Sequence, residues 1–386
     1  MKWGKLGTAA VIVTALAAPT PAVGAGITWT VNPSHSGACS SHECASITDA
    51  VAAAASDDII EITPGTYAES VTSTKALTFK RRGTGLVRIV GDGSSNPPFA
   101  LSGAGTSRLQ GLLISSSQAG VPAVLVTSGP VQTRTVEIDA SILTGKGTGA
   151  GLAAATSAGD AAISITADHV TVADSGSAPA TSVSAAPPMS IGVTFTQSIV
   201  RGSSTGAMVD ATNDAGTDMG IFVNAGAEDF HLRAHTVDEN QGGTARFTEA
   251  DVDGDPRSFG GAVDKGADEF VNHPPVISSA TATPNSTTVG QSVQFGATAS
   301  DPDPGDSISY SWIFGDGGAP EAGQSVSHAY AQPGFYTATV TVKDSYGQIA
   351  TSNVGVTVSP APSLAGGGRI GPLPKLGAAA RVADLQ

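Results

Sequence analysis

Between residues 58 and 232 the chain repeats one pattern: a short run with apolar side chains at alternate positions, then a cluster of Gly, Ser, Pro or Asn. "DIIEITPGTYAESV" opens it at 58–71 and "ALTFKRRGTGLVRIVGDG" follows. "QGLLISSS", "VPAVLVTSG", "TVEIDASIL", "AISITADHVTVADS", "IGVTFTQSIVRGS" and "MGIFVNAGAEDFHL" continue it. Alternation at period two predicts strands with one buried face. Taking Ile89, Ile114, Ile138, Ile165, Phe195 and Phe222 as equivalent positions gives steps of 25, 24, 27, 30 and 27 residues by subtraction. A period in that range marks a repeat architecture, in which each unit buries its apolar face on its neighbours. The linkers then separate a solenoid from a set of hairpins. Hairpins favour two-residue Asn-Gly or Asp-Gly turns, whereas these runs are joined by broader Ser/Gly/Ala stretches of uneven length. Pro64-Gly65 is therefore read as a corner between successive strands of one coil, and the region as a parallel β-helix.

Two segments break the pattern. "ASITDAVAAAASDD" predicts a helix: Ser46 caps it, Asp49 stands in the capping-box position, and alanines fill its interior. The terminal coil of a solenoid exposes an apolar face and unpaired strand edges, and residues 46–55 would cover one such end. After "NHPP" the composition shifts, and 276–359 reads as a β-sandwich of immunoglobulin-like size. Val293, Phe295 and Ala297 alternate inward on one strand, and Tyr336, Ala338, Val340 and Val342 on another. Trp312 and Phe314 supply the bulky part of the core.

The stretch from "ASITDAVAAAASDD" to "RIVGDG" resembles the first coils of right-handed β-helix proteins of the pectate-lyase-like superfamily, whose opening helix caps the solenoid. "EDFHLRAHTVDENQGG" and "DVDGDPRSFGGAVDKGADEF" are similar to the closing segment of bacterial exported β-helix proteins. "SWIFGDGG" together with "VSHAYAQPGFYTATVTVKDSYG" resembles the PKD (polycystic kidney disease-type) domain, with Ile313 standing where that family more often has a polar or acidic residue. The expected fold is all-β: a right-handed parallel β-helix followed by an immunoglobulin-like PKD sandwich. The expected organisation is a signal peptide at 1–25, the β-helix with its capping helix at 26–271, the sandwich at 272–360 and a flexible Pro/Gly/Ala-rich tail at 361–386.

Composition bears on the address. Lys2 and Lys5 precede an apolar stretch that ends in small residues, the order of a secretory signal, and cleavage is expected after Ala25. That stretch is short for a bilayer, and no second candidate span follows, so the mature chain is expected to be secreted, extracellular or attached to the cell surface. Loss of the two lysines takes the formal charge from -14 to -16, which disfavours nucleic acid and anionic lipid as direct partners. Cys39 and Cys44 are the only cysteines, and in an exported chain they are expected to form a local disulfide. His35 and His42 beside them fall short of a zinc set.

Candidate chemistry is scattered. A polysaccharide lyase needs carboxylates holding Ca²⁺ beside a basic residue, and Asp139, Asp168, Asp174 and Arg201 form no cluster in sequence. A glycoside hydrolase needs two facing carboxyls, for which "ATNDAGTDMG" offers Asp210, Asp214 and Asp218. Asp251, Asp253 and Asp255 alternate as the oxygen ligands of a Ca²⁺ loop do, but Pro256 stands where an EF-hand has glycine, and Glu269 lies too far along. The structural alternative has these aspartates accepting turn N–H groups, with Arg257 pairing locally. His231 and His235 are four apart, yet Leu232 replaces the glutamate of a zinc-protease motif. His328 is assigned to the sandwich core and Asp316 to a turn. The expected function is binding, in an adhesive or structural role, to extracellular polysaccharide or a cell-surface protein. The PKD resemblance implies the company of extracellular enzymes and adhesins, and a polysaccharide lyase or glycoside hydrolase is the alternative.

Overall fold

The structure, a computed structural model, describes residues 26–362 apart from 38, 157–160, 175–178, 185–189, 203, 206–207, 210–212, 217–218, 228, 237, 243–249 and 258–261. The expected signal peptide and nearly all of the expected tail lie outside the described residues. The chain divides into two compact units, Met1–Val271 and Asn272–Gln386.

The first unit is a parallel β-solenoid. Ile59–Ile62, Gly65–Ala68 and Val71–Ser73 make one coil and enter three different sheets; Thr78–Arg81, Val87–Val90 and Phe99–Leu101 stack on them in the same order. The rhythm continues to Ser190–Thr196, Ile199–Arg201 and Ser204–Thr205, and the three sheets contain nine, seven and six strands. Pro64-Gly65 is a corner: the chain leaves the first sheet at Ile62 and joins the second at Gly65. The Tyr67 hydroxyl donates to the Thr63 carbonyl at 2.8 Å and pins that bend. Inside, Ile60, Phe79, Leu109, Ile138, Ala167 and Phe195 form one continuous column of register partners without solvent exposure. Full burial of each large member contributes about 1.5–3 kcal/mol.

The positions expected to be equivalent do not form one column. Ile89 and Ile114 pair in the second sheet, while Ile165 faces Val136 and Phe195 faces Ala167 in the first. Phe222 belongs to an antiparallel pair, Phe222–Asn224 with Asp229–Leu232. Each coil carries three strands with the same alternation, so a nearly constant spacing maps onto neighbouring sheets equally well.

The bend from the first sheet to the second repeats on successive coils. Gly111, Ala140, His169 and Gln197 all take the left-handed conformation there, with φ of 67°, 45°, 49° and 50°. Ser141 and Ser198 complete the bend: Ser141 Oγ accepts from Leu112 N at 3.2 Å and donates to the Asp139 carbonyl, and Ser198 Oγ accepts from Val170 N at 3.0 Å and donates to the Thr196 carbonyl. Buried backbone groups at the corner are thus satisfied by hydroxyls.

The helix Ile47–Ala53 covers the first coil, burying Ile47, Ala50 and Val51. Ser46 Oγ accepts from Asp49 N at 3.0 Å, as the capping pattern predicts. Its ends are also held from the solenoid. Glu69 accepts from the N–H groups of Ile47 and Thr48 (3.1 and 2.9 Å) at the positive end of the helix, and Lys75 Nζ donates to the carbonyls of Val51, Ala52 and Ala54 at the other. Asp58 fastens the first strand by accepting from Ile27 N and Trp29 Nε1. The Cys39–Cys44 disulfide closes the loop beside the short edge strand Glu43–Cys44.

Three strands of the second sheet, Leu113–Ser115, Ile142–Gly145 and Ile199–Arg201, are buried on both faces. Its outer face is overlaid by residues that follow the last coil. Gly266 N donates to the Gln197 carbonyl (2.9 Å) and Ala267 N to Thr171 Oγ1 (3.1 Å). Arg81 Nη2, on a much earlier coil, donates to the Asp251 carbonyl at 3.0 Å, and Gly85 N to the Asp253 carbonyl. The closing segment is therefore a lateral cover that runs back along the solenoid.

The second unit is a β-sandwich. One sheet holds Val276–Thr283, Ser292–Ser300 and Ser325–Ala329; the other holds Ser286–Thr288, Ile349–Ser359, Gly334–Asp344, Ile308–Ile313 and Glu321–Ala322. Trp312, Phe295, Phe314 and Tyr330 fill the space between them with Val340 and Val356. His328 stacks on Phe314 with ring centroids 3.9 Å apart, and its Nε2 meets Asp316 Oδ2 at 2.8 Å. Asp316 also accepts from Gly318 N across the turn it forms.

Candidate functional site

Asp251, Asp253 and Asp255 lie on the cover with their carboxylates within 4.8 Å of one another. Asp251 is fully buried, and its carboxylate is committed to backbone. Oδ1 accepts from Asp253 N, Gly254 N and Asp255 N (3.2, 2.8 and 2.8 Å), and Oδ2 from Glu269 N (3.1 Å). Burial, with Asp253 alongside, pushes Asp251 up to about 7 against the pull of those donors. Asp253 Oδ2 meets His231 Nε2 at 3.1 Å, and His231 holds Asp253 well below the usual carboxylate range. As Ca²⁺ ligands, then, the trio offers chiefly Asp253 Oδ1 and Asp255; Asp251 already closes a turn. Arg257 Nη2 donates to the carbonyls of Gly266 and Ala267, joining two parts of the cover.

The acids of "VDKGADEF" follow the same logic. Asp264 accepts from Asn240 N and from Phe270 N (2.7 Å), Glu269 from Asp264 N (2.9 Å), and Asp268 from Leu232 N (2.7 Å). Buried backbone donors in an irregular segment need acceptors, and short acidic side chains supply them.

His231 does not pair with His235. Its ring bridges Asp229 (Nδ1 to Oδ1 2.6 Å) and Asp253, with Asp268 also near. Asp253 foremost, then Asp268 and Asp229, raise it to about 10 despite burial. A histidine raised this way stabilises the fold fully below its ordinary value of 6.5, and that contribution is lost as pH rises through about 10. Limited proteolysis of the cover should accelerate progressively between about pH 6.5 and 10 in the wild type. His231→Gln should be cleaved faster at neutral pH and respond little to further alkalinisation. An unchanged pH profile in the variant would refute the role given to His231.

Of the residues considered for a lyase or hydrolase, Asp139, Asp168 and Arg201 are buried, whereas Asp214 is partly exposed. Asp139 and Asp168 are register partners at the stacked corner, only 1% and 4% exposed, with the fully buried His169 beside them. Arg201, 3% exposed, pairs with Asp214 and Asp238. Arg201 lowers Asp214, whereas burial and then Asp214 raise Asp238 to about 7. The Asp174 side chain, Asp210 and Asp218 lie outside the described residues.

Open surface lies elsewhere. A shallow cleft of about 500 Å³ is lined by Asp57, Thr78, Ala104, Thr106 and Arg108, and one of about 480 Å³ by Ser102, Thr127, Gln132 and Thr156. The first brings one carboxylate, Asp57, to its wall and the second brings none, so neither pairs the carboxyls a glycoside hydrolase uses. The first sheet presents outward rows in register across the coils. One row is Thr78, Arg108, Glu137, Thr166 and Thr194, and the next is Thr106, Thr135, Ser164 and Gly192. Arg108 Nε and Glu137 Oε2 pair at 2.7 Å within the first row.

In the sandwich, Asp301, Asp306 and Asp344 bring carboxylate oxygens within 4.8 Å of one another. Desolvation, then Asp303, Asp306 and Asp344, raise Asp301. Asp344 spends its oxygens on Gly347 N, Gln348 N and Asn272 Nδ2. Sequence reading missed this group; the "DPDPGD" run was its only local signal.

A family model for the PKD domain matches residues 272–358. Among solved structures, the PKD1 domain of Vibrio anguillarum Epp is 27% identical over 24% of this chain and 100% of its own, with a TM-score of 0.20. The PKD domain of an M14-like peptidase from a Thermoplasmatales archaeon is 29% identical over 23% of this chain and 98% of its own, with a TM-score of 0.20. A structure concerning the promiscuous specificity of carbohydrate-binding modules of the β-sandwich superfamily is 24% identical over 24% of this chain and 37% of that chain, with a TM-score of 0.22. Residues 272–358 are a PKD domain, and it follows a parallel β-solenoid. Among the described residues no helix is long and apolar enough to cross a membrane. The PKD domain and the disulfide are consistent with an extracellular protein with a binding or adhesive role.

Proposed function

We propose that this is an exported adhesive protein that holds extracellular polysaccharide on the outer face of the solenoid's first sheet. The observation that carries this reading is the contrast between two sheets: strands of the second such as Leu113–Ser115 and Ile142–Gly145 are buried on both faces, while the first presents rows rich in short hydroxyl side chains in register from coil to coil. Strands about 4.8 Å apart repeat those hydroxyls at a fixed interval, which suits an extended polymer with a repeating pattern of donors and acceptors. The paired Arg108 and Glu137 add one charged point of orientation to the row. Ca²⁺ at Asp253 and Asp255 would steady the cover rather than act on substrate.

Retention on immobilised polysaccharides tests this. The purified chain should be held by at least one glycan without releasing unsaturated products or new reducing ends. Arg108→Glu, at a half-exposed position, should weaken retention about tenfold while leaving the melting temperature within a few degrees. Turnover of the bound polymer would favour the lyase or hydrolase reading, and full retention by the variant would remove the first sheet from consideration.

A further inference from the structure

The five-stranded sheet of the PKD domain has an outer face unlike the rest of this acidic chain. Along Gly334–Asp344 the outward positions are Phe335, Thr337, Thr339 and Thr341 before Lys343. On the adjacent Ile349–Ser359 they are Thr351, Asn353, Gly355 and Thr357, and on Ile308–Ile313 they are Ser309, Ser311 and Ile313. Lys343 is the one charge among them, in a chain whose net charge is -14. The acids of the domain gather off this face, at Asp301, Asp303, Asp306 and Asp344 and around Asp316.

Phe335 stands out on this surface. It is 73% exposed, yet it is positioned: a Cβ on Gly355 would come within 2.9 Å of its ring, so the ring lies over the glycine backbone of the neighbouring strand. Thr357 is its register partner, and two outward rows further on Thr339 Oγ1 donates to Asn353 Oδ1 at 2.8 Å, which orients that amide. The other exposed apolar residues, Ile313 and Ile349, stand in separate rows, so no contiguous apolar patch forms of the kind a stable protein interface buries. A polyanion would find a single lysine. An exposed aromatic ring held against the neighbouring strand among hydroxyls and an amide matches a ligand with apolar C–H faces rimmed by hydroxyl groups and without charge.

We propose that this face binds a neutral polysaccharide, Phe335 stacking on the apolar face of one sugar while Asn353 and the threonines hydrogen-bond its neighbours. The site is separate from the solenoid surface and stands or falls without it. The test is retention of the full chain on xylan, mannan, cellulose and chitin, with polygalacturonate as the acidic comparison. The wild type should be held by at least one neutral polymer in preference to polygalacturonate. Phe335→Ala should lose about tenfold in affinity with an unchanged melting temperature, and Phe335→Trp should restore it. Three results would overturn the proposal: retention by none of the neutral polymers, equal retention by Phe335→Ala, or a wild-type dimer in sedimentation that Phe335→Ala dissolves, which would make the face a self-association surface. Retention lost in Arg108→Glu but kept in Phe335→Ala would assign glycan contact to the solenoid alone.

Discussion

Replacing Arg134 with alanine should destabilise the solenoid by about 3–5 kcal/mol, the cost of breaking a buried charged network. Arg134 points inward from the first sheet between Gly105 and Ile163 and has no solvent exposure. Its guanidinium donates to Ser107 Oγ at 2.6 Å and the Ala104 carbonyl at 3.2 Å, with the Lys75 carbonyl at 3.4 and 3.5 Å. Among the described residues no carboxylate pairs with it. Burial pushes its pKa down, but a guanidinium remains charged in proteins. Neutral oxygens from the two preceding layers, at Lys75 and at Ala104 and Ser107, thus take the place of a counter-ion. Truncation to alanine leaves those acceptors unsatisfied and opens a cavity, two of the mechanisms that produce large effects. Arg134→Met fills most of the volume with apolar atoms and should cost markedly less. Separate thermal transitions of the two units, followed by calorimetry, would measure this. An alanine variant within about 1 kcal/mol of wild type would mean that the interior hydrates around the missing group.

The second large effect is expected at Asp251. Asp251→Ala removes the acceptor of four backbone N–H groups at once and should cost about 3–5 kcal/mol in the cover, each stranded buried donor costing about 1–3 kcal/mol before relaxation. Asp251→Asn keeps the oxygen that receives three of them and removes the charge beside Asp253, so it should cost far less. Protease cleavage within the cover, timed against cleavage elsewhere in the solenoid, separates the two variants. Equal rates for wild type and Asp251→Ala would show that the turn holds itself without the carboxylate.

The parts of this fold legible in sequence depend on neighbours in the chain. Ser46 and Asp49 are three residues apart, Pro64-Gly65 marks its own corner, and Trp312 and Phe314 alternate on and beyond one strand. The parts that were hidden depend on contacts across coils. Glu69 and Lys75 hold a helix more than twenty residues earlier, and Arg81 reaches Asp251 from 170 positions away. The stacked bend was hidden for another reason: Gly111, Ala140, His169 and Gln197 share a backbone conformation and no side-chain chemistry. Asp139, Asp168 and Arg201 have the residue types of a catalytic group, but they are buried and Arg201 pairs with Asp214 and Asp238 instead.

The backward run of the cover changes how the solenoid should come apart. An open stack of coils held only by nearest neighbours can fray one layer at a time from either end. Here Arg81 and Gln197, several layers apart, grip the same strip of chain, as a spine binds the pages of a book. The layers between them are tied to a common fate, so melting of that stretch should be abrupt rather than gradual.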